Sequence, residues 1–153
     1  MMATEQRYTR IEEIERANDR AGYHYFEPAT MRFFDSRVLS GVYDGRFFIT
    51  SERFKMYEPR YRVDPRMYTI REAFPDGQID TVGAFQAFGS AATAKRWAQR
   101  VIDARLLRVN RDARPPVACS EDDCTHLATH ITRTNATPCG DHLFDVIKRE
   151  AKL

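Results

Sequence analysis

Residues 68–85 read YTIREAFPDGQIDTVGAF. Two runs rich in β-branched and aromatic side chains, Tyr68 to Phe74 and Ile79 to Phe85, flank Pro75-Asp76-Gly77-Gln78. Proline presets φ at a turn corner, aspartate bonds its own backbone and glycine accepts positive φ, so this stretch is predicted to be an antiparallel hairpin. An earlier signal repeats the theme. Asp44-Gly45 sits between Val42-Tyr43 and Arg46-Phe47-Phe48-Ile49-Thr50, and that dipeptide favours a tight type I′ turn. Two hairpins imply four antiparallel strands. Residues 51–67, charged, aromatic and carrying Pro59 and Pro65, read as a long loop or irregular crossover between them.

Helical patterns lie outside the hairpins. Thr9 with Glu12 forms a capping-box pair, Ile11, Ile14 and Ala17 share one face, and Gly22 can stop the helix. Pro28 suits a first helical position, and a second helix is expected to carry Met31, Phe33, Phe34 and Val38 before Gly41. Ser90 offers an N-cap to the clearest helix. Ala94, Trp97, Ala98, Val101 and Ala104 lie along one face of it, and Lys95, Arg96, Gln99 and Arg100 along the other. The fold class is therefore α+β: an antiparallel sheet of two hairpins packed by helices, with a small C-terminal zinc-binding module.

The chain divides by composition into an α+β domain at 1–107, a linker at 108–118 marked by Asn110, Asp112 and Pro115-Pro116, and a module at 119–153. All three cysteines fall in that last segment. Three cannot pair among themselves, which favours metal in a reducing compartment over a disulfide framework. With His142 they form Cys-x4-Cys-x14-Cys-x2-His, so Cys119, Cys124, Cys139 and His142 are the predicted ligands of one structural Zn2+. Between the pairs, Leu127 to Arg133 is expected as a strand, Thr134-Asn135 as a turn and Ala136-Thr137 as the return. Thr137 would then cap a helix with Pro138 in its first position, placing Cys139 and His142 on one face. His126 and His130 are competing ligands. A tail this short cannot fold unaided, and zinc would be what folds it.

The arrangement at 119–153 resembles a treble-clef or ribbon-like zinc finger, one ligand pair on a turn and the other at a helix start. Four protein ligands close the coordination shell, whereas a hydrolytic zinc keeps a position open. Treble-clef nucleases of the HNH type use histidine and asparagine beside the metal, but the spacing of His126, His130 and Asn135 does not match their longer motif. Elsewhere, Asp35-Ser36-Arg37 has no histidine nearby in sequence to complete a triad, and Asp44, Glu52, Asp76 and Asp80 read as turn or strand-edge acids. No glycine-rich phosphate loop is present. The expectation is a protein without catalytic residues.

The chain of 153 residues is 42% hydrophobic, with ten Phe and seven Tyr, enough for a core. No run approaches the ~18 apolar residues of a membrane span, and the charged N-terminal stretch has no signal-peptide core, so no membrane partner and a cytoplasmic location are expected. Net charge is only +2, yet seven basic residues cluster against two acidic ones between 95 and 114: Lys95, Arg96, Arg100, Arg105, Arg108, Arg111 and Arg114. They form a candidate nucleic-acid-binding stripe, with a solvated helix face as the plainer reading. Phe47, Phe48, Tyr68, Phe85 and Phe88, flanked by Arg46 and Arg71, are a candidate stacking platform, although strand alternation should bury about two thirds of them.

The run Met31 to Val38, the hairpin from Gly45 to Glu52 and the segment Ile79 to Gln86 together resemble a small uncharacterised domain of bacteriophage and mobile-element proteins, over roughly residues 25–105. The resemblance carries no catalytic or binding residue. It implies a phage-encoded accessory protein acting in the cytoplasm of a bacterial host. The leading expectation is thus a non-enzymatic accessory protein that binds a host macromolecule, most naturally a host protein, with nucleic-acid binding through residues 95–114 as the alternative.

Overall fold

The structure is a computed structural model that describes residues 7–53, 65–110 and 112–152. The chain forms two compact units, Met1–Lys95 and Arg96–Leu153.

In the first unit, helix α1 (Ile11–Ala21) and the short helix α2 (Pro28–Phe33) precede strands β1 (Arg37–Val38), β2 (Phe47–Glu52), β3 (Met67–Ala73) and β4 (Ile79–Val82). The strands form one antiparallel sheet in the order β1-β2-β3-β4, as the α+β reading expects. The hairpin at 68–85 forms with Ala73 opposite Ile79. Its turn is built as its residues require: Phe74 N–H donates to Gln78 O at 2.9 Å and Gly77 N–H to Phe74 O at 2.9 Å. Asp76 accepts from Gln78 N–H at 3.0 Å, and Gly77 takes φ +91°.

The earlier hairpin is only partly as expected. Asp44 and Gly45 both have positive φ, 53° and 69°, and Arg46 N–H donates to Tyr43 O at 3.1 Å, the features of a type I′ turn. Upstream of it only Tyr43 bridges to Phe47, and the strand that extends the ladder is β1, with Arg37 opposite Ser51 and Val38 opposite Thr50. Arg37 and Val38 therefore lie in the sheet and not in a helix running to Gly41. That helix ends at Phe33 because Asp35 adopts φ 48°, and Ser36 N–H closes on Met31 O at 2.7 Å while Asp35 N–H closes on Arg32 O at 3.2 Å. This is a left-handed C-cap formed on aspartate instead of glycine. Helix α1 ends in the same way on Gly22, as predicted. At its start the N-cap is Arg10, and Thr9 bonds the Glu13 carboxylate, not Glu12.

One face of the sheet carries Phe48 and Ala73, buried against Tyr8, Ile11 and Ile14, with Tyr25, Phe26, Val38 and Ile79 packed around them. The Tyr8 hydroxyl reaches Phe74 O at 2.8 Å. The other face carries Phe47, Ile49, Ile70 and Val82, all buried. Asn18 is fully buried in α1. Its amide donates to Gly77 O at 2.8 Å and accepts from Tyr25 N–H at 2.8 Å, tying the helix to the β3–β4 turn and to the following loop.

Helix α3 (Ala91–Ala104) is capped by Ser90, whose Oγ accepts from Thr93 N–H at 3.2 Å. Ala94, Ala98 and Val101 are buried, while Lys95, Arg96 and Gln99 are exposed. The second unit takes up most of this helix, then β5 (Leu107–Arg108), β6 (His130–Ile131) and α4 (Leu143–Glu150). Trp97 and Phe144 meet edge to face with centroids 5.3 Å apart, and Leu143, Val146 and Ile147 are buried.

In segment 108–118, expected as a linker, Arg108, Val109 and Val117 bond residues 128–130. Arg108 pairs with His130 across β5 and β6, Val109 N–H donates to Thr129 O at 3.0 Å and Val117 O accepts from Ala128 N–H at 2.9 Å. Backbone groups in a compact unit must find partners, and here the polar loop composition hid a ladder too short to show a period of two. Among the described residues, no helix is long and apolar enough to cross a membrane.

Candidate metal centre

Each of the four predicted ligands is positioned by its own backbone bonds. Cys119 sits where Ala118 bridges to Leu127, its N–H bonded to His126 O at 3.0 Å. Cys124 closes a turn through its N–H to Glu121 O at 3.2 Å, with Asp123 before it at φ 60°. Cys139 and His142 are joined by His142 N–H to Cys139 O at 3.2 Å. They lie on a turn that leads into α4, with His142 as the N-cap, not in the first turn of a helix capped by Thr137. The cause lies just upstream. Pro138 O accepts from Thr129 N–H at 3.0 Å, and Thr137 is bonded to Ser120 Oγ and Ala118 O, so this backbone is engaged with neighbouring loops and not free to coil. The expected Leu127–Arg133 strand shortens to His130–Ile131, and its return is a turn in which Thr132 N–H meets Ala136 O at 2.9 Å with Asn135 at φ 67°.

These turns bring Cys119, Cys124, Cys139 and His142 together, one ligand atom from each lying within 4.8 Å of all the others. The edges can be compared with coordination geometry. Metal–sulfur bonds of about 2.3 Å and metal–nitrogen bonds of about 2.0–2.1 Å in a tetrahedron give S···S edges of about 3.8 Å and S···N edges of about 3.6 Å. Here Cys124 Sγ and Cys139 Sγ are 3.8 Å apart, Cys119 Sγ and His142 Nδ1 3.6 Å, and Cys139 Sγ and His142 Nδ1 3.3 Å. The residues fit a four-coordinate metal ion, with Nδ1 as the imidazole donor.

Cys119 and Cys139 are buried, Cys124 is half-buried, and all three thiols are free. Burial opposes ionisation at Cys119, but backbone N–H groups of Glu121 and Cys139 and the side chains of His142 and Cys124 outweigh it and hold the thiol down to about 6. The Cys139 N–H lies 3.3 Å from Cys119 Sγ. Burial and the two neighbouring thiols push Cys139 up to about 11. One thiolate therefore forms readily at neutral pH, and a bound cation would ionise the others.

Neither competing histidine joins the set. His130 is buried, its Nδ1 2.8 Å from Thr129 Oγ1. His126 stands just outside, 3.8 Å from Cys124 Sγ and 4.0 Å from Cys139 Sγ, and pairs with Asp141 at 3.5 Å.

The basic stripe is less uniform than its sequence. Lys95, Arg96, Arg105 and Arg114 are exposed, Arg100 and Arg108 are half-buried, and Arg111 lies outside the described residues. The Arg100 guanidinium stacks over Trp97 at 4.7 Å. Of the aromatic platform, Phe47, Phe48 and Phe88 are core, while Tyr68 is half-buried and Phe85 exposed.

One feature escaped the sequence reading. Glu52, expected as a strand-edge acid, is fully buried. Arg71 Nη2 bonds it at 2.9 Å, Thr69 Oγ1 at 2.9 Å, and Thr50 Oγ1 also donates to it. The sequence carries only a partial signal, the alternation Thr50-x-Glu52 and Thr69-x-Arg71, polar residues at period two where a covered face should be apolar; the register that sets Thr81 opposite Arg71 is seen only in the structure. Asp35 pairs with Arg66 at 2.6 Å.

The model of a family of unknown function, DUF7447, matches residues 10–99, more than half of the 153-residue chain. The chain belongs to that family. The DUF7447 match covers the sheet of the first unit and stops within α3, so every ligand of the Cys3His cluster lies beyond it. Comparison with curated proteins and with solved structures gave no match.

Proposed function

We propose that this DUF7447 protein is a non-enzymatic binding protein whose Cys3His cluster holds a structural zinc ion. We further propose that its partner is a macromolecule of a bacterial host, a host protein in the phage setting that the sequence resemblance implies. The observation that carries the reading is the closed set of four ligand atoms within 4.8 Å of one another. Three thiolates and one imidazole suit zinc in hardness and in tetrahedral geometry, and four protein donors leave no position for a substrate or an activated water.

Such a site organises chain. Pinned by the metal, the loops at 119–142 would present a fixed surface to a partner at little ordering cost. The protein as purified should contain about one zinc per chain by elemental analysis, and strong chelation should unfold the second unit while leaving the sheet signal of the first. Retention of full second-unit structure without metal would end the structural-zinc reading. Zinc-loaded protein immobilised as bait should recover a defined host protein, and recovery of nothing beyond background across several host lysates would end the partner reading.

The exposure of Lys95, Arg96, Arg105 and Arg114 favours a second reading, binding to nucleic acid through phosphates. It requires an affinity that falls steeply with salt, and a gel-shift series without complexes at low salt excludes it.

A further inference from the structure

The sheet face that carries Phe48 changes character along its length. Toward Ala73 it is apolar and belongs to the core with Ile11 and Ile14. Toward the far end of β2 it presents Thr50, Glu52, Thr69, Arg71 and Thr81, placed side by side by the pairings Thr50 with Thr69 and Arg71 with Thr81. A cavity of about 620 Å³ stands over this polar half, with Arg71 and Thr81 in its floor and Tyr25, Phe34 and Phe85 among its walls. That volume is in the range of small-molecule sites, which combine apolar walls with a few fixed polar groups.

The floor is costly. Glu52 has no exposed side-chain surface and Arg71 only 12%. Apolar side chains of equal volume would hold a sheet as well or better than a buried ion pair, and departures of this kind concentrate where a protein binds something. A guanidinium has five N–H donors. Arg71 uses Nε on Thr50 Oγ1 at 3.0 Å, Nη1 on Thr81 Oγ1 at 2.6 Å and Nη2 on Glu52 at 2.9 Å. These bonds fix its plane and, among the described residues, leave one N–H on each terminal nitrogen. The guanidinium carbon lies 5.4 Å from the Phe85 ring centroid and 5.8 Å from that of Tyr25, so two rings stand beside the guanidinium.

Two properties select the ligand. The charge of Arg71 is already answered by Glu52, so the floor offers hydrogen-bond donors without net positive charge and suits a neutral acceptor over a carboxylate or phosphate. The walls are rings, and two stand in water unusually far: Phe33, which lines the same cavity, is 76% exposed and Phe85 39%. Phe34 touches both, edge to face with Phe33 at 4.6 Å and tilted by 54° from Phe85 at 5.2 Å between centroids, so the rings form an angled aromatic corner in which a flat ring can lie on one face and meet the others edge-on. We propose that this cavity binds a neutral, planar heteroaromatic ring of nucleobase size, lying on Phe85 and edged by Phe33 and Phe34, with a carbonyl or ring-nitrogen acceptor on Arg71. A free nucleoside and a base splayed from a single strand share this chemistry.

The test titrates the full chain with guanosine, inosine and uridine, with benzoate as a planar anionic comparator, and with short single-stranded oligonucleotides. Ligand-observed NMR and calorimetry are the readouts. At least one nucleoside or oligonucleotide should bind in preference to benzoate, and Phe85→Ala should weaken it about tenfold or more, the scale of one lost stacking contact. Phe33→Ala, at a more exposed position, gives a second variant that folds if Phe85→Ala does not, and circular dichroism checks both. Nucleoside binding assigns the site to a free ring. Oligonucleotide binding alone, lost in Phe85→Ala, assigns it to a splayed base. Absence of binding by all nucleosides and oligonucleotides, benzoate as the tighter ligand, or binding unchanged in whichever of the two variants folds would overturn the proposal.

Discussion

Gly77→Ala tests the packing that holds the first unit together, and its cost can be worked from the structure. Gly77 has φ +91°, and an added Cβ would collide with Ala17 O and lie 2.7 Å from Ala17 C and 3.0 Å from Asn18 N. All three are backbone atoms of α1, so no side-chain rotation relieves them. Left-handed backbone costs a residue with a Cβ about 1–2 kcal/mol. Restoring ordinary contact requires the helix to retreat by about 1 Å, an overpacking that costs about 1–3 kcal/mol. The retreat also stretches the bond from the buried Asn18 amide to Gly77 O, 2.8 Å long, and a buried amide left short of its partner costs about 1–3 kcal/mol. The lower ends alone total about 3 kcal/mol, a large part of the roughly 5–15 kcal/mol that holds a typical domain. Two other glycines separate the terms. Gly22 has φ +83° but open space around the added carbon, and Gly89 has open space and no positive φ. Urea titrations followed by far-UV circular dichroism should rank the alanine variants Gly89 near zero, Gly22 at about 1 kcal/mol and Gly77 at about 3 kcal/mol or more. A Gly77→Ala loss no larger than that of Gly22→Ala would refute the close approach of α1 to the turn.

Further predictions concern the cluster and the buried pair. If the cluster holds a structural metal, Cys139→Ser should reduce bound metal to a small fraction of wild type and shift the emission of Trp97, the single tryptophan, to the red, because its contact with Phe144 lies in the same unit as the cluster; full metal content with unchanged emission would contradict this. Metal affinity should fall as pH falls. Cys139, pushed up to about 11, carries a proton at pH 8 that metal must displace, whereas Cys119, held down to about 6, does not. Competition titrations from pH 8 to pH 5 should show one displaced proton from this pair at the upper end and steeper loss below about 6, where the second thiol also protonates. Glu52→Gln should cost about 3–5 kcal/mol by stranding Arg71, while Glu52→Leu with Arg71→Met should recover much of it; equal losses in denaturant titrations of the two variants would mean that the pair is not coupled.

Legibility in the sequence tracks how local each feature is. The β3–β4 hairpin and its turn depend on adjacent residues with strong preferences, and Pro75-Asp76-Gly77 forms as expected. The Cys3His set was legible because spacing and ligand type are written in the chain, and its four atoms meet. The end of α2 was not, since Asp35 takes a conformation more usual for glycine and so releases Arg37 and Val38 to the sheet. Nor was the pairing of β5 with β6, two residues a side, where no periodicity can register. The interior place of Glu52 depends on three strands aligning in register, a fact no single segment holds.

The two units are stabilised by different means. In the first, a four-stranded sheet closes over Phe48, Ile11 and Ile14, and apolar burial of this kind is enough for a domain of its size. In the second, β5 and β6 have two residues each and α4 has eight, while an isolated helix needs about 12–15 residues to persist in water. The ligand-bearing turns at 119–142 contain backbone in strained or uncommon conformations, at Asp123 and Asn135, that add to the cost of order. A metal ion joining Cys119 and Cys124 to Cys139 and His142 would cross-link those turns to the start of α4 and supply on the order of 10 kcal/mol, enough to offset what the short elements lack. The family match ends at residue 99, so the aromatic cavity lies within the DUF7447 segment, and a metal at the Cys3His cluster would be what lets the residues beyond the match hold a fixed surface.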